Sequence, residues 1–291
     1  MSTLIDRNGK SFEIDDNESY DFSDFNSTGF GYSSSGVVFS GKDLTGGAFW
    51  SLSFPYGDLS STNLTNANLA NAGLTNANLA NSILTSATFT GANLNSANLN
   101  GADLTGANFE NATLTKATLT NVNLTNTILT RATFSGVTSV NISGTPKTMS
   151  PGHKVINGYI IGPGVDLSGV DLTNTSLNGA NLTGINFSGS NLTGATLTGS
   201  YRGYGGLDFS IRLDDVTSGN ITGSPNLPTG YSIVNRYIVG PGVNLSGADL
   251  TNANLTGADL TGADLTGADL TNTILTRATL TNANLSSTDL S

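Results

Sequence analysis

The chain has 291 residues, no cysteine, 36 glycines and a formal net charge of −10, and only 11% of its residues are charged. The lack of cysteine excludes disulfides and thiolate metal sites, and the acidic balance without a basic patch argues against direct nucleic acid binding. No run of residues approaches the length of a transmembrane helix, and the first residues lack the apolar core of a signal peptide. We therefore expect a cytoplasmic protein that does not bind membranes, although a virion protein or a surface-associated protein would show the same features.

Residues 1–40 are predicted to form an N-terminal hairpin followed by an acidic and aromatic cap. Two short β-prone runs flank Asn8-Gly9, which is typical of a two-residue hairpin turn. Between Asp15 and Phe30, carboxylates are interleaved with aromatic side chains, as expected of a segment that covers the open apolar end of a repeat structure. A Ca²⁺ loop or an acidic docking patch is the functional alternative, although EF-hand spacing is absent from this segment.

Residues 41–136 contain a five-residue repeat in which every fifth residue is large and apolar. These central residues run from Leu44 to Phe134 without a break, which makes nineteen units of the pattern A-(D/N)-L-x-x. In an extended chain the side chains alternate between two faces, so Leu and Ala point inward while Asn and Thr point outward. Because five is odd, the fifth residue, usually Asn, Gly or Ser, is predicted to turn the chain.

This repeat resembles that of the pentapeptide-repeat family, and the resemblance covers most of the chain. The family's fold is a right-handed parallel β-helix with four sides and one pentapeptide on each side. Residues twenty apart, such as Thr45 and Thr65, would then stack about 4.8 Å from each other. Since a single unit cannot bury its own apolar face, neighbouring coils complete the core, and Leu69, Leu94 and Leu265 are expected to be buried.

Two stretches that break the repeat, residues 137–164 and 216–242, are homologous to each other. In both, β-prone runs surround a pair of turn residues, Asn157-Gly158 in the first stretch and Asn235-Arg236 in the second. Each stretch ends in Gly-Pro-Gly and leads into a further repeat run. The sequence therefore predicts two homologous hairpin-like inserts that restart the coil in the same way.

The second repeat run, residues 165–198, has seven units, and the third, residues 243–291, has ten. Between the second run and the second insert, residues 199–215 are predicted to form a glycine-rich excursion loop. Exposed Tyr and Arg side chains suit recognition of a partner. The candidate binding residues lie in this loop and in the two inserts, and they are Tyr201, Arg202, Tyr204, Tyr159 and Tyr237.

The sequence offers little for catalysis, because its only imidazole is His153, in a variable part of the first insert. Catalytic sites need convergent groups of matched pKa, so we predict no enzyme activity, no catalytic residues and no cofactor. One weak metal candidate is a column of carboxylates, Asp249, Asp269 and Asp289, which are spaced by twenty residues. A solvated ladder of mutually repelling carboxylates is the alternative.

A structural scaffold or protein-interaction module is the function that the sequence favours. The resemblance implies an alternative, since some family members bind DNA gyrase as acidic mimics of duplex DNA and protect it from quinolones. The first run is nearly neutral, however, and a mimic needs its charge along the whole rod. A second alternative is an ice- or polysaccharide-binding surface of paired threonines. The expected partner is a protein of unknown identity, and at the C-terminal coil an end-to-end homodimer or a further chain.

Overall fold

The structure is a computed structural model that describes residues 2–5, 11–14, 36–198, 200–202, 208–210, 213 and 215–291. The chain divides into two compact units, the first made of Met1–Pro151 with Asn157–Ile160 and the second of Gly152–Ile156 with Ile161–Ser291. In the described ranges the backbone forms short strands, isolated β-bridges and turns, and no helix. The prediction of an all-β protein is therefore confirmed.

The strands are short because most of the sheet structure consists of single β-bridges. In chain order the described strands are β1 (Ser2–Ile5), β2 (Ser11–Ile14), β3 (Thr118–Thr120), β4 (Thr138–Val140), β5 (Lys154–Ile156), β6 (Tyr159–Ile161), β7 (Ser200–Arg202), β8 (Asp208–Ser210), β9 (Ser232–Val234) and β10 (Tyr237–Val239). Strands β1 and β2 pair in antiparallel register, with Leu4 opposite Phe12. The assignment of residues 1–40 to a hairpin and a cap stays a prediction. The Asn8-Gly9 turn and the predicted cap lie outside the described residues.

Parallel bridges between residues twenty apart build the first unit. The bridges begin with Val38 and Asp58 and continue through Ile128 and Thr148. Each bridge has two backbone hydrogen bonds; for example, Leu64 N donates to Ile83 O at 2.8 Å and Ile83 N donates to Thr62 O at 2.9 Å. Four pentapeptides therefore separate two stacked residues, as the resemblance implied.

The core of both units consists of the central Leu or Phe of each pentapeptide and the Ala two residues before it. Leu69, Leu94 and Leu265 each have 0% of their surface exposed, which confirms the predicted inward direction. In the first unit the rings of Phe89 and Phe109 stack with 4.6 Å between their centroids, as expected for residues twenty apart. Burial of one such side chain contributes about 1.5–3 kcal/mol, so the repeated core residues stabilise the coil together.

The fifth residue of the pentapeptide turns the chain, as predicted. Asn66 has a φ of 59° and Gly91 a φ of 68°, and Ala67 N donates to Leu64 O at 2.9 Å. A four-residue turn with positive φ at its third residue only is a type II turn. Asn and Gly are favoured there because they adopt left-handed φ values at low cost.

The Asn or Asp before each central residue has a structural role that the inward-outward pattern did not predict. Asn63 Oδ1 accepts hydrogen bonds from Thr65 N at 3.1 Å and from Thr65 Oγ1 at 2.7 Å. The N–H group of Thr65 points out of the coil, so this side chain supplies the acceptor that the backbone does not. Asn or Asp is therefore favoured at this position, and a Thr two residues later adds a second hydrogen bond.

The parallel pairing of the first unit continues beyond Phe134, although the leucine pattern stops there. Strands β3 and β4 pair in parallel, with Leu119 opposite Ser139, and Asn123 pairs with Ser143. The hydroxyl of Ser139 is buried and accepts a hydrogen bond from Ile160 N at 2.8 Å. The first residues of the predicted insert thus complete the coil with polar inward side chains.

In the second unit the bridges follow the same spacing except where they cross one of two inserted segments. Asn186 pairs with Thr217, and Thr217 pairs with Asn244, so both intervals are longer than twenty residues. The first interval contains the hairpin of β7 and β8, in which Tyr201 lies opposite Phe209. The second contains the antiparallel hairpin of β9 and β10. The two hairpins therefore lie between coils that pair with each other.

Both inserts have primed turns at the predicted residues. Asn235 and Arg236, between β9 and β10, have φ values of 44° and 66°. Asn157 and Gly158, between β5 and β6, have φ values of 48° and 78°. Two successive residues with positive φ define a type I′ turn, whose twist suits a two-residue hairpin.

Candidate functional site

The structure does not bring the five predicted binding residues together in one described site. Tyr201 and Arg202 lie in β7, and Tyr204 lies outside the described residues. Tyr159 in β6 and Tyr237 in β10 are half-buried. Their assignment to partner binding stays a prediction.

Tyr237 attaches its hairpin to the third repeat run. Its hydroxyl oxygen accepts a hydrogen bond from Asp249 N at 3.2 Å, and its ring lies 3.0 Å from the position that a Cβ on Gly219 would occupy. At the tip, Asn235 Nδ2 donates to Thr251 O at 3.1 Å. These contacts hold the tip of the β9–β10 hairpin against the repeat.

Tyr231 holds the base of the same hairpin. Its hydroxyl donates to Pro241 O at 3.0 Å and accepts a hydrogen bond from Leu213 N at 3.2 Å. Its ring also lies over Gly240 so closely that no side chain fits there. The hairpin is therefore attached at both ends, and between these contacts β9 is partly exposed.

A groove of about 250 Å³ lies between this hairpin and the third run. The hairpin side is formed by Gly230, Tyr231, Ser232 and Val234, and the repeat side by residues 254–259. Gly230 has a φ of 91°, and a Cβ added to it would meet nothing within 4 Å. We call the space bounded by these residues the hairpin groove.

The repeat side of the hairpin groove is an open strand edge. In the following pentapeptides, Asp264 N donates to Val243 O at 2.9 Å and Asp269 N donates to Ala248 O at 2.9 Å. The equivalent N–H groups of Asn254 and Asp259 have no hydrogen-bond partner among the described residues. The carbonyls of Asn254, Thr256 and Asp259 likewise accept no hydrogen bond there. In a regular repeat the preceding coil would pair with these groups, but here that part of the chain forms the β9–β10 hairpin.

Asp259 gives the hairpin groove a negative charge. Its side chain is exposed, and its Oδ1 accepts a hydrogen bond from Thr261 N at 3.0 Å. Hydrogen bonds from the Thr261 hydroxyl and from the Thr261 N–H lower the pKa of Asp259. The carboxylate is therefore ionised at neutral pH and still faces the solvent in the groove.

His153 has a structural position in the first insert. Its Nε2 lies 3.3 Å from Pro163 O, and its ring leaves no room for a side chain at Gly162. Tyr231 occupies the matching place in the second insert, with the same contacts to Pro241 and Gly240. A ring that bridges to the proline carbonyl is thus common to both inserts.

The carboxylates of Asp249, Asp269 and Asp289 form the predicted column, since bridges pair Asp249 with Asp269 and Asp269 with Asp289. Each accepts a hydrogen bond from the N–H two residues later, which for Asp269 is Thr271 N at 2.9 Å. The Thr271 hydroxyl and N–H lower the pKa of Asp269. Across the described ranges, no group of three or more His, Asp or Glu side chains is arranged to hold a metal ion.

Large apolar side chains are exposed in each of the two units. Trp50 and Tyr56, near the start of the first run, are 37% and 64% exposed. In the final coil, Ile274 and Leu290 are 50% and 62% exposed. Within the described residues, no helix has the length and apolar character needed to cross a membrane.

Comparison with known proteins identifies the repeat. The sequence pattern of the family described as pentapeptide repeats matches more than half of the chain in eight copies, over residues 58–95, 72–111, 97–136, 166–201, 242–277 and 258–291. No curated protein matches the chain.

Several solved structures are similar to the chain. HetL, a pentapeptide repeat protein involved in heterocyst differentiation regulation in Nostoc sp. strain PCC 7120, is 25% identical, with 86% of each chain covered and a TM-score of 0.22. A pentapeptide repeat protein from the Arabidopsis thaliana thylakoid lumen is 28% identical over 35% of this chain and 68% of its own, with a TM-score of 0.30. QnrB1, a plasmid-mediated fluoroquinolone resistance protein, is 17% identical over 64% of this chain and 91% of its own, with a TM-score of 0.23.

Proposed function

Because the chain belongs to the pentapeptide-repeat family, we propose that it is a non-enzymatic, rigid β-solenoid that acts as a structural scaffold or protein-interaction module. We infer that its coils have the right-handed, four-sided form of the family, and the pairing of residues twenty apart supports this. In this proposal the repeat supplies a stiff support, and the segments that leave the coil contact a partner protein. Cytoplasmic residence stays a prediction from the sequence.

The open strand edge beside the β9–β10 hairpin is the observation on which the interaction role rests. In the next coil the repeat uses its own groups, since Thr266 N bonds to Asp264 Oδ1 and Asp264 N bonds to Val243 O. At Asn254 and Asp259 the equivalent N–H groups are left without a partner among the described residues. Strand edges with unpaired donors and acceptors are favoured docking sites for other chains.

The structural role of His153 supports the non-enzymatic part of the proposal. The only imidazole of the chain lies against Gly162 and Pro163, and a tyrosine replaces it in the second insert. A general acid or base could not be exchanged for tyrosine in this way without a change of pKa. Packing explains the position of His153 without a catalytic role.

Affinity capture tests the interaction role. The intact chain is used to capture proteins from an extract of its cells of origin, in parallel with a variant that lacks residues 199–213. We expect a specific partner with the intact chain and less of it with the variant, while circular dichroism shows that the variant keeps its β structure. Undiminished capture by the variant would exclude the excursion loop as a contact site, and the absence of any specific partner would contradict the proposed function.

Gyrase mimicry is the alternative that the acidic column of the third run favours. Residues 243–291 contain five aspartates and one arginine, and Asp249, Asp269 and Asp289 stack in one line. A supercoiling assay with the purified chain separates the two functions, because a mimic inhibits DNA gyrase at micromolar concentration and a scaffold does not. A thermal hysteresis measurement at millimolar concentration addresses the ice-binding alternative in the same way.

The end-to-end homodimer, or a further chain at the C-terminal coil, stays a prediction from the sequence. Leu290 is 62% exposed, whereas Leu270, one coil earlier, is 2% exposed. A second copy of the chain in an end-to-end homodimer, or a further chain, would cover this apolar surface. Sedimentation equilibrium of the purified protein distinguishes a homodimer, which has twice the mass of the chain, from a monomer.

A further inference from the structure

The two inserts place matching residues around two matching grooves, but these residues differ in chemistry. Gly152 of the first insert corresponds to Gly230 of the second, and Lys154 corresponds to Ser232. On the repeat side, Asn178 corresponds to Thr256 and Asn181 to Asp259. All eight residues belong to the second unit, so the two grooves can be compared directly.

The first groove is crossed by one of the chain's own side chains. Lys154 Nζ donates a hydrogen bond to Asn178 O at 3.3 Å. On the other side, the amide nitrogen of Asn181 lies 3.5 Å from the position of a Cβ on Gly152. Partial burial lowers the pKa of Lys154, as expected for an ammonium group that extends over the repeat. An ammonium on a backbone carbonyl therefore occupies the first groove.

The second groove has the same backbone but lacks these side chains. Ser232, at the position of Lys154, is too short to reach Thr256 O, and that carbonyl accepts no hydrogen bond among the described residues. A Cβ on Gly230 would meet nothing within 4 Å. The amide of Asn181 is replaced by the carboxylate of Asp259. The hairpin groove is thus open where the first groove holds an ammonium, and it has gained a negative charge.

We propose that the hairpin groove binds an extended peptide segment of a partner protein through one lysine. The lysine ammonium donates to Thr256 O beside the Asp259 carboxylate, as Lys154 Nζ does to Asn178 O. The peptide backbone accepts a hydrogen bond from Asn254 N on the open strand edge, and Asp259 N lies beyond the turn at Thr256-Gly257. This inference rests on the proposed function, because it names the chemistry by which the interaction module recognises a partner.

The size and charge of the groove fit this ligand. Its volume of about 250 Å³ is below the roughly 300–1,000 Å³ of sites for drug-sized ligands, which suits one side chain with its backbone. The third run that forms one wall contains five aspartates and one arginine, and a surface of this charge attracts basic segments. An ammonium without a peptide would leave Asn254 N unpaired, so the extended backbone completes the site.

Isothermal titration calorimetry of the full chain with the peptide acetyl-Thr-Val-Lys-Val-Thr-amide tests the proposal. We expect one saturable site. Ser232→Lys should weaken binding at least about tenfold, because the new ammonium occupies the groove as Lys154 does in the first insert. Asp259→Asn should weaken binding about tenfold, the usual effect of losing one charge-assisted hydrogen bond. Melting temperatures show whether each variant is folded.

Matched variants control for surface charge. Ser246→Lys adds an ammonium to an exposed position of the third run, and Asp269→Asn removes a carboxylate that caps Thr271 away from the groove. Both are expected to bind like the unchanged chain. The double variant Lys154→Ser, Asn181→Asp gives the first groove the residues of the second, and we expect it to bind two peptides per chain.

Nuclear magnetic resonance of the unchanged chain gives a test that needs no variant. On addition of peptide, the amide signals of Asn254 and Asp259 should shift, while those of Asp264 and Asp269, which already donate to the preceding coil, should not. Equal binding of a peptide with glutamate in place of lysine, or of n-butylammonium alone, would overturn the proposal, as would the absence of binding. If the peptide fails to bind while partner capture persists, this inference alone is wrong; if capture fails, the proposed function is wrong.

Discussion

The two inserts of this protein have the same backbone design, and they differ in what fills the space beneath the hairpin. In the first, Lys154 bonds to the carbonyl of Asn178, whereas in the second, Ser232 leaves the carbonyl of Thr256 without a partner among the described residues. At two of the matching positions the first insert has Lys154 and Asn181, where the second has Ser232 and Asp259.

The contacts that the two inserts share explain why the backbone is the same in both. The buried hydroxyl of Ser139 accepts a hydrogen bond from Ile160 N at 2.8 Å, and that of Ser218 accepts one from Ile238 N at 2.9 Å. Each hairpin is therefore attached to its coil through a serine in place of an inward leucine. Matched substitutions, one in each insert, test whether the two attachments contribute equally to stability.

Removal of the buried isoleucines should have the largest effect. Ile160 and Ile238 are both 0% exposed, so Ile160→Ala and Ile238→Ala should each cost about 2–5 kcal/mol of stability. Urea unfolding followed by circular dichroism measures the loss. If only one of the two variants were destabilised, the inserts would not be equivalent joints.

Removal of the buried serine hydroxyls should have the next largest effect. Ser139→Ala and Ser218→Ala leave the N–H groups of Ile160 and Ile238 buried without an acceptor, at a cost of about 1–3 kcal/mol. Hydrogen exchange should show faster exchange of these two amides, each in its own variant. Amides such as that of Leu94, which pair within the regular coil, serve as the internal control and should keep their protection.

Acid should distinguish the two grooves, because only the second contains a carboxylate. The pKa of Asp259 is lowered in the folded chain by the hydroxyl and N–H of Thr261. Its stabilising contribution is therefore present above the unfolded pKa of about 3.9 and is lost as pH falls through the lower folded pKa. Peptide binding at the hairpin groove should weaken over the same range, and Asp259→Asn should remove that dependence. A binding profile that keeps the same acid dependence in the variant would contradict this assignment.

The smallest expected effect is a lowered pKa of the Lys154 ammonium. Burial lowers its pKa from the usual value for lysine, so its Cε signal should titrate at a lower pH than that of a free lysine. Because the unfolded chain binds the proton more tightly, stability should rise with pH between the folded and unfolded pKa values. Asn181→Asp places a carboxylate beside the ammonium and should raise this pKa. A lysine signal that titrates at the usual value in the unchanged chain would show that Lys154 does not lie over the repeat.

Much of the fold follows from local patterns in the sequence. Burial of Leu69 and Leu265, left-handed φ at the fifth residue and the hairpin of β9 and β10 all agree with prediction, because alternation and turn chemistry act over a few residues. The predicted cap and Tyr204 lie outside the described residues and stay predictions. Capping of Thr65 N by Asn63 was not predicted, since the sequence does not show which backbone groups the next coil leaves unpaired.

The candidate site was harder to predict than the fold. The sequence analysis selected aromatic residues as binding candidates. In the structure, the hydroxyl of Tyr237 accepts a hydrogen bond from Asp249 N and so attaches the hairpin to the repeat. The residues that shape the groove, Ser232 and Asp259, are ordinary surface residues when read alone. A signal was present in the alignment of the two inserts, where these positions change from Lys154 and Asn181.

The sequence by itself determined the period, the inward and outward faces, the turn residues and the places where the repeat stops. Each of these depends on neighbours within about five residues, whose steric and hydrogen-bonding preferences are local. Only the tertiary structure decided which strand edge stays open. In a regular repeat, Asn254 and Asp259 would pair with residues twenty positions earlier, but those residues form the β9–β10 hairpin. The unpaired edge therefore depends on contacts between segments that are about twenty or more residues apart, and a pattern within five residues does not predict such contacts.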